Sequence, residues 1–451
     1  FQLGGAACRV FGTNEFAVGA AKAGSAASPV AALSNTFNAG VLTGKGGFKK
    51  TGVNGTIVLA GDNDYEGGTW VAYGFLSMST PYALGETNEW VRIGSNHYET
   101  DAGAKNAGLP SKNDTLIYIT SALDISYRFR IDRQCNNNNY SDRIAIWTQD
   151  SNTKHNVNFY GDINADANNN ACWAVKTAGA VWHTYGHVAL GYKIGMGATV
   201  HFHGPVTTSQ ATSYIWAQDS GNAYLYSTSN TFTSLYTGYG VCFCMAPNVT
   251  PANMKINTNY MYGSADALRL GGFDQTIGCM INGNWNQNHG IVNETTTPCR
   301  LTLTIPSDSK GRYHFNGPLT LVVDSPAGCY QQITNAAEST MSGGLIVSNG
   351  TFWIAKNSRF PNVNAFELGT NGVVKVTDDA TVGNGSADLA IAEGGKFVLA
   401  EPTANISVKR LVWNGAVDET DAQDRLVRSG HDLDDPLLVR RESALAFAEP
   451  A

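Results

Sequence analysis

A chain of 451 residues with 15% charged side chains, 49 glycines and a formal net charge of −7 excludes two classes of function from the outset. It offers no basic field for the phosphates that dominate nucleic-acid binding, and it contains no run of about 18 apolar residues from which to build a membrane-spanning helix. Low charge with abundant Gly, Asn, Ser and Thr points instead to an exported β-protein kept in solution by neutral polar groups. The chain opens on Phe1 without a charged-then-apolar leader, so an export signal is expected to have been removed or to lie outside this sequence.

The first predicted element runs from Gly55 to Val71. Thr56 to Leu59 alternates as a strand, Gly61 to Asp64 is a turn cluster, and Gly67-Gly68 breaks the chain before Trp70 and Val71 resume. Gly55, Ile57, Leu59, Gly61, Asn63, Tyr65, Gly67, Gly68, Thr69 and Val71 fit the pattern Gly-x-Leu-x-Leu-x-Gly-x-Asn-x-Tyr-x-Gly-Gly-Thr-x-Val, with Ile57 where leucine is usual. The segment resembles the autotransporter-associated β-strand repeat. That resemblance implies a passenger-like bacterial surface protein, exported and displayed outside the cell. In the same turn Asp62, Asp64 and Glu66 alternate, and because hard cations take oxygen ligands they are the candidate calcium site. The competing reading is that the two aspartates shape the corner while Glu66 is solvated. Just before it, Gly44-Lys45-Gly46-Gly47 has no Ser or Thr after the lysine and is no phosphate loop.

Further along, three phrases share one design: Val157-Asn158-Phe159-Tyr160-Gly161, Val200-His201-Phe202-His203-Gly204 and Tyr313-His314-Phe315-Asn316-Gly317. In each, residues two apart point into a core, the residue after Phe points out, and Gly turns the corner. His201 and His203 therefore share one strand face, where two imidazoles can share a metal if a third ligand comes from elsewhere. Exposed strand-face histidines are the preferred explanation of the pattern. The runs Asn136 to Asn139 and Asn168 to Asn170 read as corner or loop insertions, with stacked amide ladders as the alternative.

The eight cysteines allow disulfides in an oxidising compartment. The preferred pairs are Cys135 with Cys172 and Cys279 with Cys299, each flanked by Asn-rich or Gly-rich turns. Cys242 and Cys244 fall on one side of a strand and read as small buried hydrophobes rather than zinc ligands, because no matching second pair follows. Their number departs from the cysteine-poor passengers of the family that the repeat resembles. Leu270 to Gly278, Gly290 to Asn293 and Leu301 to Ile305 resemble that family again, and Gly343 to Phe352 echoes Gly67 to Phe75.

Repeats near 40–90, 150–210, 255–320 and 340–400 place residues 1–415 in one all-β winding, a right-handed parallel β-helix (solenoid) with loop insertions. Each coil buries its inner face only when the next coil stacks on it, and the hand follows from that of parallel crossovers. Residues 416–451 turn charged and form a cap, a tail or an assembly segment.

No catalytic constellation is expected, and no cofactor beyond calcium. The enzyme alternative, a polysaccharide lyase or hydrolase, would draw on Asp132, Arg133, Asp162 and Asp166, which would need to converge at a defined separation. The glycan-binding alternative needs an exposed aromatic stripe among the nine Trp and 19 Tyr. The expected function is an extracellular structural or adhesive protein whose preferred partner is itself, assembling end to end into a fibre, with extracellular glycans as the alternative partner.

Overall fold

The computed structural model describes residues 8–9, 13–17, 37–51, 56–94, 115–131, 146–148, 156–165, 172–175, 180–208, 213–217, 221–257, 266–281, 289–413, 416–418 and 437–439, apart from gaps of one to three residues. Every regular element among them is a β-strand, stacked as a parallel β-solenoid of the right-handed type with about 12 turns in all. Backbone contacts divide the chain into two compact units, Phe1–Thr233 and Ser234–Ala451.

In the first unit, each strand pairs in parallel with its counterpart one coil later. One sheet runs from Thr13–Ala17 through Gly47–Thr51, Thr69–Val71, Trp90–Ile93, Arg128–Ile131, Ile163–Asn164 and Val188–Leu190 to Val206–Thr208. A second runs through Leu123–Ile125, Asn156–Phe159, Val181–Thr184, Thr199–Phe202 and Ala223–Leu225. Alternation decides which side chains enter the core: Val157 and Phe159, Trp182 and Thr184, and Val200 and Phe202 are buried while their neighbours face out. Phe159 meets Trp182 at 5.0 Å between ring centroids and Phe129 at 6.0 Å, so the inner column is continuous from coil to coil. The phrases at 157 and 200 belong to this sheet. They are not adjacent, because the 181–184 strand, unnoticed in the sequence, lies between them.

The described part of the repeat motif, residues 56–71, is a corner built around buried polar groups. Asn63 accepts a hydrogen bond from the Leu42 N–H (2.7 Å) on the preceding coil and donates one to the Ala83 carbonyl (2.6 Å) on the following coil. Buried Tyr65 bonds Thr69, whose hydroxyl donates to the Leu84 carbonyl at 2.9 Å. A Cβ on Gly67 would stand 2.5 Å from the Gly47 nitrogen, so only glycine lets these corners nest. The repeat letters Asn63, Tyr65, Gly67 and Thr69 are therefore structural. Other side-chain amides, at Asn230, Gln275, Asn293 and Gln331, each bond the backbone of one other coil.

In the second unit the largest sheet carries two long strands, Leu345–Ala355 and Ala365–Val376, which bend where their register shifts between Val347 and Asn349. Near its end two short strands reverse the rule of parallel pairing. Ala416–Asp418 runs antiparallel to Arg410–Trp413, and Leu437–Val439 runs antiparallel to Lys396–Leu399. Part of the charged segment thus covers strand edges, which would otherwise present unpaired backbone groups.

No disulfide forms among the described residues, where Cys242, Cys244, Cys279 and Cys299 carry free thiols. The expected Cys279–Cys299 bridge is corrected by register. Cys279 opens a strand paired with Lys255–Asn257 while Cys299 opens one paired to Leu319 in a different sheet. Burial pushes the Cys299 thiol up to about 12 and raises that of Cys279. The other expected bridge lies outside the described residues, since Cys135 and the Cys172 side chain are not among them.

Candidate functional site

Outward-facing positions of the 123–125, 156–159, 181–184, 199–202 and 223–225 strands form two lanes. In register, Asp124, Asn158, His183, His201 and Tyr224 make the first. Tyr160, Tyr185, His203 and Tyr226, each two residues further along, make the second. Their backbone ladder continues past the strand ends: Tyr160 N–H donates to the Ile125 carbonyl, Tyr185 N–H to Phe159, His203 N–H to Thr184 and Tyr226 N–H to Phe202, at 2.7–3.1 Å.

Glycine places the second lane. Gly161, Gly186 and Gly204 follow three of its members directly, and a Cβ on Gly186 or Gly204 would stand 2.4 or 2.2 Å from the carbonyl oxygen of the glycine one coil back. That packing brings consecutive corners close enough for the preceding rings to stack.

The rings lie nearly parallel. Along the first lane His183–His201 and His201–Tyr224 are 4.5 and 4.3 Å apart between centroids. Along the second, Tyr160–Tyr185, Tyr185–His203 and His203–Tyr226 are 4.9, 4.5 and 4.3 Å apart. Diagonal bonds tie the lanes together. His183 Nδ1 is 3.0 Å from His203 Nε2, and His201 Nδ1 is 3.0 Å from the Tyr226 hydroxyl. In the first of these one imidazole donates and the other accepts, a choice of tautomer that the contact itself enforces.

Burial depresses the basicity of all three histidines: His183 is lowered, His203 is lowered by burial and then by His183, and His201 falls to about 4 with both neighbours adding to the effect. At neutral pH they are uncharged rings with available lone pairs. Burial, then Tyr224 and Tyr185, raises the Tyr226 phenol. Tyr160 and Tyr185 remain 49% and 43% exposed, the two most open aromatic rings of the lanes. Stacked rings hide their faces from solvent and present edges carrying hydroxyls and nitrogens, while Tyr160 ends its lane among the described residues.

The other predicted residues do not join this site. Asp62, Asp64 and Glu66 are exposed, opposite buried Asn63 and Tyr65, and fall outside the one group of three or more metal-donor side chains that converges among the described residues. Asp162 accepts a hydrogen bond from the His187 N–H at 2.9 Å, and Asp132, Arg133 and Asp166 lie outside the described residues. Cys242 and Cys244 share a buried face, with burial pushing Cys242 up to about 12 and Cys244 well above its ordinary value, so they are neutral thiols. His314 belongs to the other unit. Its Nε2 stands across Gly290 from an Asp266 oxygen, each within 3.0 Å of where a Cβ on that glycine would lie.

Four of the described tryptophans are engaged elsewhere. Trp70 lies between Lys49 and Arg92 at 4.8 and 4.7 Å, Trp90 under Arg128 at 5.0 Å, Trp353 beneath Lys375 at 4.2 Å, and Trp182 is in the core. The stripe is made by tyrosine and histidine. The sequence paired His201 with His203 through strand alternation but missed His183, Tyr185 and Tyr224, which join only through coil register.

Comparison with protein-family models, with curated proteins and with solved structures gives no match. The fold and the lanes therefore carry the functional argument. No helix of the described residues is long and apolar enough to cross a membrane.

Proposed function

We propose that this chain is an extracellular adhesive scaffold of the bacterial surface-protein type, which holds a glycan along its Tyr/His lanes. The observation that carries the reading is the unbroken stacking of rings over four successive coils at 4.3–4.9 Å. Rigid stacked rings lose little side-chain freedom on binding, and their hydroxyl and nitrogen edges offer a periodic row of hydrogen-bonding groups to a linear chain of sugars. The half-exposed ring of Tyr160 adds an apolar face for one sugar ring at the end of the row.

The repeat pattern at Gly55 to Val71 supports export and surface display. The reading assigns no reaction. End-to-end growth is not part of it, because the antiparallel strands at 416–418 and 437–439 occupy strand edges that such growth would use.

A glycan array probed with the purified chain tests the proposal. Retention of a defined set of polysaccharides is expected, with binding weakened about tenfold or more by combined Tyr160→Ala and Tyr185→Ala while the far-ultraviolet dichroism is unchanged. No retained glycan, or equal binding by the double variant, would overturn it.

A further inference from the structure

Among the described residues, His183, His201 and His203 form a group whose ligand atoms, one from each ring, all lie within 4.8 Å of one another. The solenoid imposes this triangle. His183 and His201 are direct partners on adjacent coils, about 4.8 Å apart by strand spacing, and His201 and His203 are alternate residues of one chain segment. The third ligand that the His201/His203 pair lacked in the sequence is supplied by the neighbouring coil.

We propose that this triad binds a late first-row transition-metal dication through one ring nitrogen from each histidine. Nitrogens bound at about 2.0–2.1 Å lie about 2.9 Å apart at a right angle and about 3.4 Å apart at a tetrahedral one. The 3.0 Å between His183 Nδ1 and His203 Nε2 already falls in that interval. The ion binds both nitrogens once the ring that carries the shared proton takes its other tautomer, moving that proton to its far nitrogen, and both rings turn their lone pairs off the line between them. His201 is stacked on His183 with 17° between their planes and must swing toward the pair to bring its own lone pair onto the ion. Its Nδ1 is engaged by the Tyr226 hydroxyl, which leaves Nε2 as the ligand and makes Tyr226 the positioning residue that orients the ring.

Three imidazoles select copper(II), nickel(II) or zinc(II) over calcium and magnesium, which require oxygen ligands, and within the series copper binds tightest. The rings are half-buried, so the remaining coordination positions stay open to water or to a ligand resting on the lanes. The site goes beyond the glycan reading and stands without it.

Titration calorimetry of the full chain with copper, nickel, zinc and calcium chlorides tests the assignment. One ion per chain is expected for the first three, copper tightest, and none for calcium. Paramagnetic resonance of the copper form should show coupling to imidazole nitrogens. His183→Gln, His201→Gln and His203→Gln should each weaken copper binding about tenfold or more and reduce that coupling, whereas His187→Gln and His314→Gln should leave both unchanged. Tyr160→Ala with Tyr185→Ala, which weakens glycan binding in the reading above, should keep the copper site, so the two proposals fail separately. Absence of stoichiometric binding at micromolar copper, nitrogen coupling missing from the native chain, or undiminished binding when all three histidines are replaced would show a structural ladder only and overturn the proposal.

Discussion

At the scale of single residues, the two faces of the corner at residues 56–71 have opposite energetic roles. Asn63 is 4% exposed and its amide spans main-chain groups on the coils before and after it. Asn63→Ala leaves a buried N–H and a buried carbonyl without partners, at about 1–3 kcal/mol for each group left unsatisfied. Urea denaturation should therefore show a loss of about 2 kcal/mol or more. Asp62→Ala, one residue away on the solvent side, should stay within about 0.5 kcal/mol. Equal effects would mean that the amide is not a bracket between coils. The contrast also explains why Asp62, Asp64 and Glu66 read as a site in the sequence: strand alternation had to put either them or Asn63 and Tyr65 outside, and an apolar core decided for the acids.

At the scale of elements, strand and turn were legible because alternation and glycine are local signals. Val157 and Phe159, or Val200 and Phe202, announce their buried face within a few residues. Lanes are not local. His183 reaches His201 only because 18 residues separate them, whereas Asn158 and His183 are 25 apart. Coil length varies with its loops, so register cannot be counted along the chain. The glycine column that sets this register supplies the test. Gly186→Ala forces a Cβ to 2.4 Å from the Gly161 carbonyl oxygen, and overpacking of this kind costs about 1–3 kcal/mol. Thermal unfolding should move down accordingly, and near-ultraviolet dichroism from the Tyr185 and Tyr160 stack should fall even where the far-ultraviolet signal persists. An unperturbed stack would separate the lanes from the corner.

At the scale of the whole molecule, stability accumulates from neighbour to neighbour. Most cross-coil hydrogen bonds join residues about one coil apart, such as Leu42 to Asn63, Val206 to Asn230 and Asn349 to Asp324. A solenoid of this kind opens from positions that lack a neighbour on one side. Amide exchange should be slowest at strands paired on both sides, such as Val181–Thr184 and Leu345–Ala355, and faster at Leu123–Ile125, which among the described residues has a parallel partner on one side only. Uniform protection would show a single all-or-none unit instead. Solenoid architecture was legible because periodic strands and glycine corners permit few other solutions. The Cys279–Cys299 bridge was not, because proximity in sequence places its halves in different sheets.

The Asn63 bracket carries one more implication, for the lifetime of the protein. Slow hydrolysis of Asn63 to aspartate would exchange its donating nitrogen for an acceptor oxygen facing the Ala83 carbonyl, turning attraction into repulsion between two consecutive windings. Ageing would then begin as a seam parting at one corner, long before the bulk of the protein lost its shape.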